Sequence, residues 1–238
     1  MTSWESNYLV TVGQFPDPFR GGDVREWVGG DAGSGLPFRE SCRFQLDFLI
    51  AEGLTPESTL LDLGCGCLRG GVHFIEYLSR GRYLGLDISE TVVRWGINHE
   101  LGTPECNAKW PEFVVSDAFD FGAFSKTPDV VFANSLFTHL PADSVTDSLA
   151  KLRRWCGPSC EAYATFSLVD ADSDHGGKGH YCGGRAAMTY TRDEVATIAR
   201  QAGWRAEHIG VWGHPKNLIA GDVRQQSMFR FTIPGADE

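Results

Sequence analysis

A cluster of glycines after a short apolar run is the first feature of this sequence that can do chemistry. The run is Leu60–Leu63, and the glycines that follow it are Gly64, Gly66, Gly70 and Gly71. Glycine has no Cβ, so the backbone can adopt positive φ angles there and a ligand can approach it closely. Apolar residues at helical spacing come next, in Val72–Leu78. A strand, a glycine turn and a helix in this order are typical of a site that binds a nucleotide-like ligand at the helix N-terminus.

Two carboxylates flank this turn in the sequence. Asp62 comes two positions before Gly64, and Asp87 ends a second apolar strand, Arg82–Ile88. An acidic residue about 20 positions after such glycines, at the end of the next strand, is where ribose hydroxyls are bound. An ionised carboxylate accepts two hydrogen bonds from a cis-diol, which a neutral side chain does not match. The pattern therefore predicts a ligand that contains adenosine.

The glycine spacing separates the classes of adenosine cofactor. A dinucleotide fingerprint has the form G-x-G-x-x-G, but here Gly70 comes one position late after Gly66, and no P-loop lysine is present. The segment Asp62–Gly66, D-L-G-C-G, resembles the first motif of the class I S-adenosylmethionine (SAM) dependent methyltransferases. The family's frequent third glycine is Leu68 here. The variant L-R-G-G at Leu68–Gly71 is similar to that of bacterial small-molecule methyltransferases.

The resemblance implies a set of cofactor contacts. The turn (Asp62, Gly64, Cys65 and Gly66) would hold the amino acid end of SAM, and the strand end (Asp87 and Ile88) would hold its ribose. Asp117 would meet the adenine amino group, and the backbone amide of Ala118 would meet a ring nitrogen. Asn134 and Ser135 resemble the fourth motif of the family, which lines the methyl-transfer region, so they would contact the substrate or the methionine portion of SAM.

Three residues are candidates for catalysis: His139, Asn134 and Tyr181. A histidine side chain can take a proton from a substrate, which makes His139 the candidate base; the alternative is that this histidine, at the start of a helix, holds the loop by a hydrogen bond. Tyr181 lies in the polar segment Asp170–Arg185, which we interpret as a substrate loop without regular structure.

The carboxylates Asp170, Asp172 and Asp174 do not predict a calcium loop, because the required glycine and closing glutamate are absent at their spacings. His175 and His180 could ligate a metal together with an aspartate, but we expect them to line the acceptor pocket with Tyr181 or to be solvated, and we predict no metal site.

Composition restricts the class of protein and of partner. The chain has 238 residues, 42% of them hydrophobic, and a formal net charge of −10. A net negative charge argues against nucleic acid, since phosphate binding needs a basic face. There is no apolar run of the ~20 residues that a membrane span needs, and the first residues lack a secretory signal. The seven cysteines lack the paired C-x-x-C spacing of structural zinc sites. We expect a cytoplasmic protein that binds a small-molecule substrate and neither nucleic acid nor membrane.

The pattern of elements predicts the fold. Helical stripes occur in Phe38–Gly53, Glu90–Leu101, Ala142–Trp155 and Thr191–Ala202, and they alternate with apolar strands. Together with the resemblance, this predicts an α/β fold: a single Rossmann-like domain with a seven-stranded, mostly parallel sheet, an antiparallel last strand and helices on both faces. We assign residues 38–238 to this SAM-binding domain. Residues 1–37, which lack sustained periodicity, are predicted to be an N-terminal arm or lid.

The reaction that the resemblance implies is SN2 transfer of a methyl group from SAM to an N, O or C nucleophile of a small molecule, in specialised metabolism. One alternative is a cyclase of the azetidine-2-carboxylate type, in which the amine of SAM attacks another carbon and methylthioadenosine leaves. A non-catalytic SAM-binding domain is a second alternative. A nicotinamide oxidoreductase ranks last because of the glycine spacing.

Overall fold

The computed structural model describes residues 2–5, 8–27, 42–101, 108–169, 179–182, 185–213 and 225–235. The chain divides into two compact units, Met1–Val130 (unit 1) and Val131–Glu238 (unit 2). The described strands are β1 (Thr2–Glu5), β2 (Tyr8–Val12), β3 (Leu60–Leu63), β4 (Tyr83–Asp87), β5 (Glu112–Val115), β6 (Val130–Ala133), β7 (Glu161–Leu168), β8 (Gly179–Cys182), β9 (Arg185–Tyr190), β10 (Arg205–Trp212) and β11 (Gln226–Thr232). The described α-helices are α1 (Val24–Trp27), α2 (Arg43–Ala51), α3 (Gly71–Tyr77), α4 (Glu90–His99), α5 (Ala142–Trp155) and α6 (Arg192–Gln201).

The strands of unit 1 follow the order β1-β2-β5-β4-β3. Strands β2, β5, β4 and β3 run parallel to one another, and β1 at the edge is antiparallel to β2. Every residue of β3, β4 and β5 is buried, as expected of parallel strands that are covered on both faces. Because these strands are parallel, their carboxyl ends meet at one edge of the sheet. Asp62 and Asp87 lie at or next to that edge.

The N-terminal residues add two strands that the sequence analysis did not predict. Strand β2 pairs with β5 through the register Leu9–Glu112 to Val12–Val115, and β1 extends the sheet outward. The two sheet paths therefore contain nine strands, five in unit 1 and four in unit 2, so the predicted number of seven was wrong. The strands are short and their pairing partner is about 100 residues away in the chain, so local periodicity does not reveal them.

The strands of unit 2 follow the order β6-β7-β11-β10. Strand β11 is antiparallel to both β7 and β10, which confirms the predicted antiparallel last strand. The centre of this unit is aromatic: the buried ring of Phe166 on β7 contacts four other rings at centroid distances of 5.3 to 6.2 Å. These rings belong to Phe137, Tyr190, Phe229 and Phe231. Packing of this kind fixes where the strands end relative to one another.

The segment Asp170–Arg185 contains regular structure, contrary to its interpretation as an irregular loop. Strands β8 and β9 pair antiparallel, from Gly179–Met188 to Cys182–Arg185, and β9 also pairs in parallel with the end of β7. Residues 170–178 and 183–184, including His175, lie outside the described residues. Strand pairing through backbone groups needs no apolar alternation, which explains why the sequence pattern missed it.

The helices largely match their sequence patterns. Helix α5 has the predicted bounds, and α6 begins after Thr191, whose side chain and that of Glu194 form a capping box. The stripe predicted over Phe38–Gly53 is helical from Arg43, and residues 38–41 lie outside the described residues. Among the described helices, none combines the length and the hydropathy needed to cross a membrane.

Candidate functional site

The glycine turn between β3 and α3 has the backbone conformation that its sequence predicts. Gly64 and Gly66 have φ angles of 80° and 54°. Leu68, which stands where the family often has glycine, has φ of 65° and is fully buried. A left-handed conformation costs a residue with a Cβ roughly 1–2 kcal/mol, and burial of a leucine side chain offsets a cost of this size. The departure from the family pattern therefore leaves the turn conformation intact.

The side chain of Asp87 holds this turn and the next helix together. One carboxylate oxygen accepts a hydrogen bond from the Gly66 amide (2.8 Å), and the other accepts one from the Ser89 amide at the start of α4 (3.0 Å). The amide of Gly64 donates instead to the carbonyl of Leu86 (2.7 Å). An ionised carboxylate has about four lone-pair sites, so Asp87 retains acceptor capacity for a ligand while it positions the turn.

Asp62 has a partner that the sequence analysis missed. The Tyr83 hydroxyl donates to Oδ2 of Asp62 over 2.8 Å, in a buried environment. Asp62 pairs with Gly85 in the β3–β4 register, and side chains alternate along a strand, so Tyr83, Gly85 and Asp87 share one face. Gly85 carries no side chain, and the rings of Phe113 and Tyr83 pack over it: a Cβ there would lie 2.8 Å from Cδ1 of Phe113. The two-residue alternation along β4 was the signal that could have identified Tyr83.

Burial shapes the electrostatics of the two carboxylates. Burial, together with the charge of Asp87, raises the pKa of Asp62 from 3.8 to about 7, and the hydrogen bond from Tyr83 opposes this shift. Burial also raises the pKa of Asp87, against the hydrogen bonds from the Ser89, Gly66 and Ile88 amides. Two buried carboxylates that resist ionisation side by side are stabilised by a bound cation. This arrangement favours a positively charged ligand.

The thiols of the turn are neutral. Burial and the charges of Asp87 and Asp62 raise the pKa of Cys65 well above its ordinary value. Burial raises the pKa of Cys67 to about 12, against the nearby charge of Arg69. A thiol of this kind is a poor nucleophile, so both cysteines contribute packing and backbone groups.

The raised pKa of Asp62 leads to a prediction about stability. The pKa of Asp62 is about 7 in the folded protein, against an ordinary value of 3.8. Between these pH values the folded state therefore binds more protons than the unfolded state, so the free energy of unfolding falls as the pH rises through that range. Asp62→Asn keeps an acceptor for Tyr83 but does not titrate. We expect the free energy of unfolding of this variant, measured with urea by circular dichroism, to depend less on pH than that of the wild type, and to exceed it above about pH 7.

Tyr83→Phe is the companion to that experiment. This variant lacks the hydrogen bond from Tyr83 to Asp62, which lowers the pKa of Asp62. The pKa of Asp62 should therefore rise further, and stability should decline over a pH range that extends to higher pH than in the wild type. If the stability of Asp62→Asn changed with pH in parallel with that of the wild type, the pKa of Asp62 would be the same in the folded and unfolded states, which contradicts the prediction.

The N-terminal segment is fastened beside Asp87. The carboxylate of Asp17 accepts hydrogen bonds from the Ser89 hydroxyl (2.7 Å), the Phe19 amide (2.9 Å) and the Thr91 amide (2.8 Å). Burial acts to raise the pKa of Asp17, but these hydrogen bonds outweigh it and the pKa is lowered. Asp17 thus joins Ser89 in capping α4, immediately after the strand end that carries Asp87.

Further along the same segment, Val24 packs into an apolar cluster with Cys67 of the glycine turn and Val92 of α4. Arg25 forms an ion pair with the buried carboxylate of Glu100 (2.9 Å). The segment therefore covers the glycine turn and α4 from outside. The sequence analysis identified neither Asp17 nor Arg25, because both act on residues more than 70 positions away.

The residues predicted to contact adenine and ribose lie at strand ends of unit 1. Ile88 follows β4 and is 43% exposed, one of the few large apolar side chains on the described surface. Asp117 follows β5 and is exposed. The amide of Ala118 donates a hydrogen bond to the Ser116 hydroxyl (3.1 Å). To contact a ring nitrogen of adenine, this amide would have to share its proton between the two acceptors or give up the bond to Ser116.

The residues predicted to contact the substrate lie in unit 2. Asn134 and Ser135 follow β6; the Trp212 indole donates to Oδ1 of Asn134 (2.8 Å), and the amide of Ser135 donates to the Thr165 hydroxyl (2.7 Å). His139 ends a short 3-10 helix, Phe137–His139, and is exposed. The backbone of Tyr181 lies in β8, and its side chain is outside the described part of the structure.

Comparison with known proteins identifies a domain and a fold. Residues 61–161 match the family described as a methyltransferase domain. The fold resembles that of magnesium protoporphyrin IX methyltransferase (ChlM) from Synechocystis PCC 6803 with bound SAM, at a TM-score of 0.58 and 14% identity over 82% of this chain and 79% of that one. A glycopeptide N-methyltransferase, MtfA, solved with SAM, gives a TM-score of 0.61 at 12% identity, over 82% and 95% of the two chains.

A SAM-dependent methyltransferase from Clostridium acetobutylicum ATCC 824 gives a TM-score of 0.60 at 9% identity, over 85% of this chain and 94% of that one. At these identities the structural likeness shows the fold. The family match spans the residues from Leu61 through the glycine turn, Asp87 and β6 to Glu161, so the methyltransferase domain includes all of these features. The chain therefore contains a methyltransferase domain at residues 61–161, and its fold is the Rossmann-like α/β fold of the S-adenosylmethionine-dependent methyltransferases it resembles.

Proposed function

We propose that this methyltransferase transfers the methyl group of SAM to an N, O or C nucleophile of a small molecule of specialised metabolism, in the cytoplasm. The observation that carries the proposal is the pair of buried carboxylates, Asp62 and Asp87, on either side of the glycine turn. Their raised pKa values make the site complementary to a nucleoside that carries a positive charge. The neighbouring solved structures include methyltransferases named for small-molecule acceptors, magnesium protoporphyrin IX and a glycopeptide.

The geometry of unit 1 supports the cofactor contacts that we propose. Asp87 would accept hydrogen bonds from the two ribose hydroxyls, while its bond to Gly66 keeps the turn in place. The exposed side chain of Ile88 offers an apolar surface for the adenine ring, and Asp117 an acceptor for its amino group. The turn, from Gly64 to Gly66, would hold the amino acid end, with Asp62 two residues before it in the chain.

Methyl transfer from SAM depends more on the alignment of the nucleophile with the methyl group than on proton transfer. SAM supplies a methyl group that its sulfonium has already activated. The protein aligns the nucleophile with that methyl group and excludes water. We assign this task to Asn134, Ser135 and Tyr181. His139 would accept a proton where the nucleophile carries one at neutral pH; its exposed position on a short 3-10 helix allows this exchange with solvent.

The N-terminal residues 1–37 would serve as a wall or lid of the cofactor site, on the body formed by residues 38–238. The support for this role is the bond from Ser89 to Asp17, because Ser89 also donates its amide to Asp87. Movement of the segment would therefore displace Ser89 and, through its amide, the Asp87 carboxylate that we propose binds ribose.

Calorimetry followed by product analysis tests the proposed function. Purified protein should bind SAM and S-adenosylhomocysteine with measurable heat. Incubation with SAM and a panel of small hydroxylated, amino and carbon nucleophiles should then yield S-adenosylhomocysteine with at least one acceptor. Methylthioadenosine formed from SAM alone would establish the cyclase instead. Tight binding of SAM without either product would favour a non-catalytic binding protein.

A further inference from the structure

The side-chain amide of Asn134 has a fixed orientation. An indole N–H is a donor and never an acceptor, so the 2.8 Å contact from Trp212 Nε1 must be to the amide oxygen of Asn134. The amide NH2 group therefore faces away from Trp212. Trp212 is itself held in place: its ring packs edge-on against Phe132 (5.9 Å between centroids, 67°), and its backbone pairs with Gln226.

The backbone beside Asn134 is fixed as well. Ser135 has φ of 59°, a left-handed conformation that costs roughly 1–2 kcal/mol for a residue with a Cβ. Three hydrogen bonds hold it there: its amide donates to Thr165, its carbonyl accepts from the Thr138 hydroxyl (2.9 Å), and its hydroxyl bonds to the side chain of Gln226. Strain of this kind is retained mainly at functional sites. The kink lies at the carboxyl end of β6, the edge where ligands bind in sheets of this type.

The group that Asn134 offers to a ligand is consequently a donor. Its side chain is partly exposed, and its NH2 group has no hydrogen-bond partner among the residues that the structure describes. A ligand oxygen, as in a carboxylate, carbonyl or phenolate, can accept from this group. A protonated amino group could bond only to the amide oxygen, which faces Trp212 and has one of its two lone pairs occupied by the indole N–H. The orientation thus discriminates between the two kinds of ligand.

We propose that Asn134, with Trp212 as its positioning residue, selects acceptor molecules that present a hydrogen-bond-accepting oxygen at the carboxyl end of β6. This inference rests on the proposed function, since it concerns the acceptor of the methyl group. It adds a specificity determinant, Trp212 on β10, that is remote in sequence from the methyl-transfer motif. It also narrows the substrate class to small molecules with an anionic or carbonyl oxygen.

Two probes with the same ring test the proposal: benzoate, which offers accepting oxygens, and benzylamine, which offers donors. Their binding to the protein saturated with S-adenosylhomocysteine is measured by saturation-transfer NMR. We expect the wild type to prefer benzoate by about 10-fold or more, the contribution of one hydrogen bond to a charged group. Asn134→Asp, which cannot donate, should reverse the preference. Asn98→Asp, an exposed site on α4, makes the same change in charge and should leave the preference as in the wild type.

Variants of Trp212 separate positioning from packing. Trp212→Phe retains an aromatic ring against Phe132 but lets the amide of Asn134 turn, so the preference for benzoate should fall to within about 3-fold of equality. Trp212→His, which retains a ring N–H, should restore part of it. Circular dichroism establishes that each variant is folded, and the Asn134→Asp result decides the matter if a Trp212 variant is not.

The proposal is overturned if wild-type protein shows no preference for benzoate, or if Asn134→Asp leaves that preference unchanged. Failure of the wild type to bind S-adenosylhomocysteine in the same samples would instead count against the proposed function. Normal binding of that nucleoside with no discrimination between the probes counts against this inference alone.

Discussion

Asp87→Ala is expected to weaken SAM binding by roughly 100-fold or more, because the variant would lose the two hydrogen bonds that we propose between ribose and this charged group, each contributing about 1.5–3 kcal/mol. The same carboxylate holds the Gly66 amide of the glycine turn and the Ser89 amide at the start of α4. Its removal leaves the buried Ser89 amide and the partly buried Gly66 amide without this acceptor, which adds to the cost. Titration calorimetry with S-adenosylhomocysteine measures the effect directly.

Two further variants make this result specific. Asp193→Ala removes one carboxylate from an exposed position in the first turn of α6 and should bind the nucleoside as the wild type does. Asp87→Asn retains one accepting oxygen, so its affinity should lie between those of the wild type and Asp87→Ala. If Asp87→Ala bound the nucleoside with unchanged affinity, the proposed contact between Asp87 and ribose would be wrong, and so would the placement of the cofactor at the end of β4.

Gly96→Ala on α4 is expected to lower the free energy of unfolding by about 1–3 kcal/mol and to weaken cofactor binding. A Cβ at Gly96 would lie 2.5 Å from the carbonyl oxygen of Cys67 and 2.6 and 2.9 Å from its carbonyl carbon and Cα. These are backbone atoms of the glycine turn, so no rotation of a side chain relieves the clash. Either α4 or the turn has to move.

The sign of this effect is informative because helix propensity acts in the other direction. Alanine inside a helix is more favourable than glycine by about 1 kcal/mol, so a gain in stability would show that α4 is not packed against the turn. Urea unfolding gives the free energy, and calorimetry gives the loss of SAM affinity. Gly157→Ala, where a Cβ meets nothing within 4 Å, is the matched control and should change neither quantity appreciably.

The two experiments report on one structural idea, that the turn is held from several sides. Asp87 bonds to it from β4, Gly96 lets α4 approach its backbone, and Val24 of the N-terminal segment packs against Cys67. None of these three residues lies in the D-L-G-C-G motif itself. A substitution outside the motif can therefore impair cofactor binding as strongly as one within it.

The amino-acid sequence by itself determined the local units of this protein. Apolar periodicity located β3, β4 and α5, the glycines located the ligand-binding turn, and Thr191 with Glu194 marked the start of α6. The two carboxylates at the strand ends, and hence a ligand that contains adenosine, followed from their spacing to the glycines, while SAM as the cofactor followed from the resemblance of D-L-G-C-G to a methyltransferase motif. These features are local: each depends on which face of an element is buried or on the conformation of a few consecutive residues.

Tertiary structure alone decided the partners of those units. It brought β2 to β5, Tyr83 to Asp62, Asp17 to Ser89 and Trp212 to Asn134. The physical reason is that periodicity reports the burial of a face but not its neighbour, and a directional hydrogen bond between distant residues leaves no trace in local spacing. Leu68 illustrates the same division, since packing around it, and not its intrinsic preference, holds it at a φ of 65°.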